Sequence, residues 1–251
     1  LTDSPADGDA ASTPRISLAL PPDLLEQVRG RVRLLAGLFL FGFGFDLALF
    51  LGAWVYVRVT GATVPEGAFQ TREVQWVNFG AVLASAGLWW VARRQRVSPS
   101  RLHTLGLMYE VSICFAISTV TFWQTYLATG LLPNLTWVPA VVIMFPLVMP
   151  GPPRRMLLAA GLAAATSPLA LLLLDQAGLV SVPDSGAYFQ ASFGPFVSVG
   201  FAYLAAGVVY GLGREVARAR EMGSYQLGEL LGRGGMGEVY RATHRMLARP
   251  A

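Results

Sequence analysis

Charged residues are scarce in this sequence. Only 14% of its 251 residues are Asp, Glu, Lys or Arg, whereas 54% are hydrophobic. In soluble domains roughly a quarter of all residues are charged. The composition therefore argues against a soluble globular protein and favours one embedded in a lipid bilayer. The net charge of +4 would suggest a nucleic-acid partner in a soluble protein. Here the arginines flank apolar runs, so we attribute the charge to membrane topology and expect no nucleic acid.

Cysteine, histidine and lysine are scarcer still. Cys114 is the only cysteine, which excludes an intramolecular disulfide framework. The two histidines, the cysteine and the carboxylates show no metal-ligand spacing, so we predict no metal site. Lysine is absent, because all 19 residues counted as Lys or Arg are arginine. This stretch of polypeptide therefore cannot supply a catalytic lysine.

Long apolar runs are what the sequence has instead. A hydrocarbon core of roughly 30 Å needs about 20 helical residues. We predict a six-span transmembrane domain over residues 34–213. The fourth span is the shortest and contains Pro139 and Pro146, and Pro168 is expected to kink the fifth. The predicted spans are residues 34–57, 74–92, 104–127, 134–150, 156–174 and 193–213.

Two segments precede the first predicted span. Residues 1–20 are rich in Asp, Ala, Ser and Pro without apolar periodicity, which is typical of a disordered leader. Residues 21–33 predict an amphipathic cytoplasmic helix that lies at the membrane surface and continues into the first span.

The arginines predict the sidedness of the bundle. Arginine is retained on the cytoplasmic side of short loops. Arginines precede the first predicted span, occupy the second and fourth loops, and follow the sixth span. The alternate loops contain only Arg58 and Arg72, together with carboxylates. This alternation favours six spans with both the N- and C-termini in the cytoplasm.

Two carboxylates fall within predicted spans. Asp46 lies in the middle of the first span and Glu110 lies inside the third. A charged carboxylate at this depth raises the free energy of membrane insertion by a few kcal/mol. We therefore expect each to face the bundle interior, either as a ligand or proton site or as a structural hydrogen bond to a polar residue on a neighbouring helix. His103, at the cytoplasmic entrance to the third span, is expected to be interfacial.

A different chemistry is predicted near the end of the chain. Residues 231–240 are Leu-Gly-Arg-Gly-Gly-Met-Gly-Glu-Val-Tyr. Glycines spaced as Gly-x-Gly-x-x-Gly let backbone amides approach a polyphosphate closely. Alternating apolar residues on both sides predict a strand, a glycine-rich loop and a second strand. A dinucleotide-binding fold would need a helix after the loop, and a Walker A loop would need Gly-Lys-Ser or Gly-Lys-Thr, so both are excluded.

From Gly223 or Tyr225 to Ala251, the chain resembles the opening of a bacterial serine/threonine protein kinase domain of the eukaryotic-like (Hanks-type) family. The resemblance implies that the glycines fold over the phosphates of ATP and that Leu231 and Val239 cover its adenine ring. It also implies Mg²⁺, protein substrates and a location in the bacterial inner membrane. The implied ATP-binding residues are Leu231, Gly232, Arg233, Gly234, Gly235, Met236, Gly237 and Val239.

The resemblance also shows which kinase parts this sequence lacks. The lysine of the next strand, the His-Arg-Asp catalytic loop and the Asp-Phe-Gly metal site are all absent. We therefore expect a piece of a longer protein that has no catalytic residues of its own, is inactive alone and does not bind ATP tightly. The predicted fold class is an all-α membrane protein: a six-helix transmembrane bundle with a short C-terminal β-hairpin fragment of a kinase N-lobe.

Residues 214–223 are predicted to form a juxtamembrane linker helix that joins the bundle to the truncated kinase start at residues 224–251. This linker could couple the two parts, including through a homodimer, or act as a passive tether. Two other functions stay open: a six-span transporter or channel-like protein that uses Asp46 and Glu110, and an assembly module that only anchors and dimerises. The sequence does not identify a stimulus or a phosphorylated substrate.

Overall fold

The computed structural model describes residues 22–63, 72–94, 97–223, 225–234 and 237–244. The predicted leader at residues 1–20 lies outside this part of the chain, as do residues 64–71 in the loop between the first two predicted spans. The described residues are mostly helical and end in two strands. The elements are α1 (Pro22–Thr60), α2 (Arg72–Arg93), α3 (Pro99–Thr129), α4 (Val138–Val148), α5 (Pro153–Gln176), α6 (Ser185–Gly223), β1 (Tyr225–Gly234) and β2 (Gly237–His244).

The N-terminal part of α1 is buried in the bundle, whereas the sequence predicts that it lies at the membrane surface. The expected surface helix and the first span form one continuous helix of 39 residues. Val28, Val32 and Leu35 lie within the bundle core, with 1–2% of their surface exposed. The apolar stripe of the expected surface helix therefore packs against other helices instead of lying on a membrane surface. No glycine or proline after Pro22 forces a break, since Gly30 and Gly37 are tolerated in a helix.

The first three helices alternate in direction. The guanidinium of Arg29, near the start of α1, donates to the carbonyl of Arg94 at 2.6 Å and to the carbonyl of Val97, both between α2 and α3. Val32 lies beside Gly106 in the first turns of α3, where a Cβ on Gly106 would be 3.6 Å from Val32 Cγ2. The start of α1, the end of α2 and the start of α3 therefore share one end of the bundle.

The later helices continue this alternation. Arg31 in α1 donates to the carbonyl of Val148, the last residue of α4, at 3.4 Å. At the opposite end, the amide of Gln190 in α6 donates to Asn134, ahead of α4, at 2.8 Å. The end of α3, the end of α5 and the start of α6 meet there in an apolar cluster that contains Phe122, Leu171, Leu174, Val180 and Ala191. The helices thus form an up-and-down bundle.

The two ends of the bundle differ in charge. The end at which α1, α3 and α5 begin, called here the arginine-rich end, contains Arg29, Arg31, Arg33, Arg93, Arg94, Arg101, Arg154 and Arg155. Arg93 and Arg94 stack on the rings of Trp89 and Trp90, at 3.7 Å and 3.8 Å from the ring centroids. Within the described helices, only Arg58 and Arg72 lie at the other end, the arginine-poor end.

Four described helices are long and apolar enough to cross a membrane: Gln27–Thr60, Pro99–Thr129, Pro153–Gln176 and Ser185–Glu215. The helix α2 is 22 residues long but less apolar, because it contains Gln75, Asn78 and Ser85. All three side chains are buried inside the bundle. The predicted fourth span, residues 134–150, is helical only over the 11 residues of α4, about 16 Å. Pro133 lies before it and Pro150, Pro152 and Pro153 follow it, which limits its length.

Hydrogen bonds between helices are few in the apolar interior. The hydroxyls of Ser85 in α2 and Tyr109 in α3 are 2.6 Å apart, and both residues are buried. The hydroxyls of Ser118 in α3 and Ser167 in α5 are 3.0 Å apart. The helix α5 continues through Pro168, the next residue, where a kink is expected. The helix α3 is therefore joined to its neighbours by both packing and polar contacts.

We expect Tyr109→Phe to lower the free energy of unfolding by about 0.6 kcal/mol and by no more than about 1.7 kcal/mol, the range of single hydrogen bonds between membrane helices. The matched control is Tyr203→Phe, which removes a hydroxyl from a tyrosine that is 45% exposed. Denaturation of the purified protein in mixed micelles would measure both variants. Equal effects of the two substitutions would contradict a role for the Ser85 contact.

Candidate functional site

The described glycines of the motif, Gly232, Gly234 and Gly237, lie in the two strands of an antiparallel β-hairpin. Tyr225 pairs with His244 at the open end, and Gly234 pairs with Gly237 next to the turn. Gly235 and Met236, both predicted to contact ATP, lie outside the described residues. The two expected strands are present on either side of these residues. A strand follows the loop where a dinucleotide-binding fold would need a helix.

Irregular pairing occurs in the hairpin just before its tip. The register shifts between Leu227 and Leu230 and again between Leu230 and Gly232, so Gly232 pairs with Val239. Such bulges increase the local twist of a strand pair. A Cβ built on Gly232 would meet no protein atom within 4 Å. Leu231 and Val239, predicted to cover adenine, are 57% and 63% exposed, so both can contact a ligand.

Asp46 forms a hydrogen bond between helices. The amide Nδ2 of Asn78 in α2 donates to Asp46 Oδ2 at 2.6 Å, and it lies 3.3 Å from Oε1 of Gln75. Asn78 is 1% exposed and Gln75 is 6% exposed. The contact is of the structural kind expected from the sequence, a carboxylate bonded to an asparagine on a neighbouring helix. It attaches α1 to α2 inside the bundle.

The same carboxylate lines a cavity of about 630 Å³. The cavity lies between α1, α2, α3 and the segment ahead of α4. It lies towards the arginine-poor end, because Gln124 and Thr125 belong to the last two turns of α3. Among the described residues that line it, Asp46 is the only charged one. The lining residues are Phe39, Gly42, Phe43, Asp46, Asn78, Ile117, Val120, Thr121, Gln124, Thr125, Leu135 and Trp137.

Glu110 is placed differently from Asp46. It is fully buried on α3, and it does not line the cavity beside Asp46. Neither of its carboxyl oxygens has a hydrogen-bond partner among the described residues. The structure therefore does not bring the two predicted carboxylates together in one cavity. Burial of a carboxyl group without a partner reduces the stability of the folded protein.

His103 is buried inside the bundle near the start of α3. Only 1% of its surface is exposed. The turn between α4 and α5 covers it: a Cβ on Gly151 would lie 2.8 Å from His103 Nε2 and 3.1 Å from Met156 Sδ. The ring nitrogens meet no described group with hydrogen-bond geometry, although the Pro150 carbonyl is a neighbour. The interfacial position of His103 stays a prediction, because burial among helices does not report depth in a membrane.

The sequence prediction missed the uncharged residues of the cavity. Asn78, Thr121 and Gln124 lie within predicted spans and line the space beside Asp46. The sequence did contain a signal for these residues, because amide and hydroxyl side chains in apolar helices need hydrogen-bond partners within the bundle. Gln75 and Asn78 are three positions apart in α2, which places them on one helix face. Their convergence on Asp46 depends on how α1 and α2 pack.

Comparisons with protein-family models, with curated proteins and with solved structures each found no match for this chain.

We expect Glu110→Met to raise the free energy of unfolding by about 1–3 kcal/mol. The buried carboxyl group has no described partner, and methionine is an apolar side chain of similar length. Glu73→Gln is the control, since Glu73 is exposed in the first turn of α2 and its change should have little effect. Thermal unfolding in detergent would compare them. A lower stability of Glu110→Met would contradict the assignment of Glu110 as unpaired.

Proposed function

We propose that this chain is the membrane region and the first hairpin of the catalytic domain of a receptor-like serine/threonine protein kinase. The full-length protein would transfer the γ-phosphoryl group of MgATP to serine or threonine residues of protein substrates. The observation that carries the proposal is the hairpin itself, because the three glycines of a Gly-x-Gly-x-x-Gly sequence lie in its two antiparallel strands where these strands approach each other in the chain. Protein kinases cover the ATP phosphates with a loop of this kind.

The open surroundings of Gly232 are suitable for binding the phosphates of ATP. Backbone amides can approach phosphate oxygens only where no side chain intervenes. Among the described residues, no atom lies within 4 Å of a Cβ built on Gly232, and the exposed Leu231 and Val239 supply apolar surface for an adenine ring. This chain would contribute the cover of the nucleotide site. The lysine, the catalytic aspartate and the Mg²⁺ ligands would come from the rest of the full-length protein.

We also propose six membrane spans, with both termini in the cytoplasm of a bacterial inner membrane. Four apolar helices support the proposal, and so does the alternating direction of successive helices. Since α1, α3 and α5 all begin at the arginine-rich end, α2 and the segment around α4 must return the chain to that end each time. The concentration of arginine at this end favours placing it in the cytoplasm.

The helix α6 supports a coupling role. It is continuous over 39 residues, so the last predicted span and the predicted linker are one helix. Its length of about 58 Å exceeds the roughly 30 Å hydrocarbon core. It ends at Gly223, and β1 begins at Tyr225. A displacement of α6 in the membrane would therefore reach the hairpin through a single stiff element, including in a homodimer. A passive anchor is the simpler alternative.

A transporter or channel-like protein is the second candidate. The cavity beside Asp46 favours it, because a polar space within an apolar bundle can hold a transported solute. Against it, Glu110 does not line that cavity, so the two carboxylates do not form one described pathway.

The kinase proposal predicts that Gly232→Val abolishes ATP-dependent autophosphorylation of the full-length protein or lowers it by at least about tenfold, equivalent to roughly 1.4 kcal/mol. The valine Cβ meets no atom of the described residues within 4 Å, so folding should be preserved, but the side chain would separate the backbone from the phosphates. Gly207→Val in α6 is the control, since Gly207 also has open space around it. Transfer of radiolabel from γ-labelled ATP would measure the effect. Normal labelling of the Gly232 variant would refute the proposal.

The topology proposal predicts that residues 131 and 154 lie on opposite sides of the membrane. In a Cys114→Ala background, which removes the only cysteine, Leu131→Cys should react with a membrane-impermeant maleimide on intact spheroplasts. Arg154→Cys should react only after permeabilisation. Both positions are exposed, so accessibility does not bias the comparison. Labelling of both from the same side would show that the segment around α4 does not cross.

A further inference from the structure

We propose that the C-terminal end of α2 binds an anionic phospholipid, with the headgroup at Arg93 and Arg94 and an acyl chain along the exposed face of the helix. The proposal goes beyond the kinase function and does not depend on it, because it concerns only α2 and the segments around its end. The reasons are the charge of the arginine-rich end, the arrangement of two guanidinium groups and the shape of the apolar face beside them.

The charge of the arginine-rich end selects an anion. Eight arginines and two carboxylates occur in the described segments that meet there, which are residues 22–33, 93–94, 97–101 and 153–155. The sequence contains no Asp or Glu between Glu73 and Glu110. The helix α2 beyond its first turn, its connection to α3 and the first turns of α3 therefore carry positive charge only. Such a surface attracts anions from the adjoining leaflet.

Tryptophan rings hold two of these guanidinium groups in place. The guanidinium carbons of Arg93 and Arg94 lie 3.7 Å and 3.8 Å from the ring centroids of Trp89 and Trp90. At these distances each group stacks face to face on its ring, because an N–H group that pointed into the ring would keep the carbon farther away. The N–H groups therefore lie at the edge of each stack, where phosphate oxygens can accept hydrogen bonds from them.

The backbone beside these stacks is also held. Arg29 in α1 donates to the carbonyl of Arg94 at 2.6 Å and to the carbonyl of Val97, which attaches the end of α2 to α1. Ordering a flexible side chain or loop on binding lowers affinity. Since the rings and the Arg29 contacts already order this corner, less of that cost remains when a headgroup binds.

The exposed face of α2 next to Arg94 is apolar and contains a recess. Trp76, Leu83 and Trp90 are each more than half exposed. They are seven residues apart, which places them on one side of the helix. Gly87 lies on the same side between Leu83 and Trp90, and no described atom lies within 4 Å of a Cβ built on it. An acyl chain can therefore lie over Gly87 when its headgroup is at Arg94.

A phospholipid with a net negative charge combines these features. A free phosphate ion would contact the arginines but leave the apolar face uncovered. A lipid with a choline headgroup carries an ammonium group that the arginines would repel. Arginine and tryptophan at a helix end are typical of the headgroup region, and under the proposed topology this end lies in the cytoplasmic leaflet.

The test compares dioleoylphosphatidylglycerol with dioleoylphosphatidylcholine, which has the same acyl chains but no net charge. The purified full chain is delipidated in detergent and titrated with each lipid, and native mass spectrometry measures the bound fraction. The anionic lipid should bind about tenfold or more tightly, as expected for two arginines at a membrane surface. Equal affinities would overturn the proposal. Displacement of the anionic lipid by an equal concentration of inorganic phosphate would also overturn it, because the site would then recognise only an anion.

A first set of variants tests the headgroup contacts. The double variant Arg93→Gln/Arg94→Gln should lose the preference for phosphatidylglycerol, with affinity about tenfold lower than that of the unaltered chain. Arg58→Gln is the matched control, because Arg58 also follows a tryptophan by four residues and lies 5.2 Å from the ring centroid of Trp54, but at the arginine-poor end. The control should keep the preference. An unchanged preference in the double variant would overturn the proposal.

A second pair tests the path of the acyl chain. Gly87→Leu fills the recess and should weaken the binding of phosphatidylglycerol about fourfold, the effect of roughly one displaced methylene group. Gly207→Leu in α6 is the control and should bind normally. A Cβ built on either glycine meets no described atom within 4 Å, so both variants should fold.

Thermal unfolding of each variant checks that folding is retained. The two sets are independent, so a folding defect in the arginine double variant leaves the leucine pair as the test. Unaltered affinity of Gly87→Leu for phosphatidylglycerol would overturn the placement of the lipid on α2.

Discussion

Polar groups inside an apolar bundle must be satisfied by neighbouring helices, and this requirement organises the structure. Water is not available there to replace a missing hydrogen bond. Asn78 therefore bonds to Asp46 across α1 and α2, and Ser85 bonds to Tyr109 across α2 and α3. At the arginine-rich end, Arg29 and Arg31 donate to carbonyls at the ends of α2 and α4, where helices lack internal partners. These contacts fix which helices are adjacent, and the apolar side chains fill the space between them.

Glu110 departs from this rule, since both of its carboxyl oxygens lack a described partner. Natural proteins retain such costly groups mainly where they serve a purpose, and an ionisable residue within a membrane helix is a functional candidate for that reason. Asp46 and Glu110 thus represent two different situations. The first is bonded and beside a cavity, and the second is enclosed by the core.

The sequence predicts the local features well and the nonlocal ones poorly. Apolar runs predict α2, α3 and α5 to within a few residues at either end, because proline and arginine limit those runs. The hairpin is also local, since its strands are adjacent in the chain. The burial of the first turns of α1 could not be predicted, because Val28 and Val32 can pack against either lipid or helices until the partners are known. The pairing of Asp46 with Asn78, the cavity beside them and the burial of His103 all depend on helix packing, which no local pattern encodes.

The continuity of α6 has a geometric consequence. An α-helix turns by about 100° and rises 1.5 Å with each residue, so the number of residues in α6 sets the angular phase between its membrane part and the hairpin at its end. One inserted residue would rotate that phase by more than a quarter turn, whereas four would nearly restore it. If α6 transmits a signal, kinase output should vary with the number of residues in α6, with the period of the α-helix.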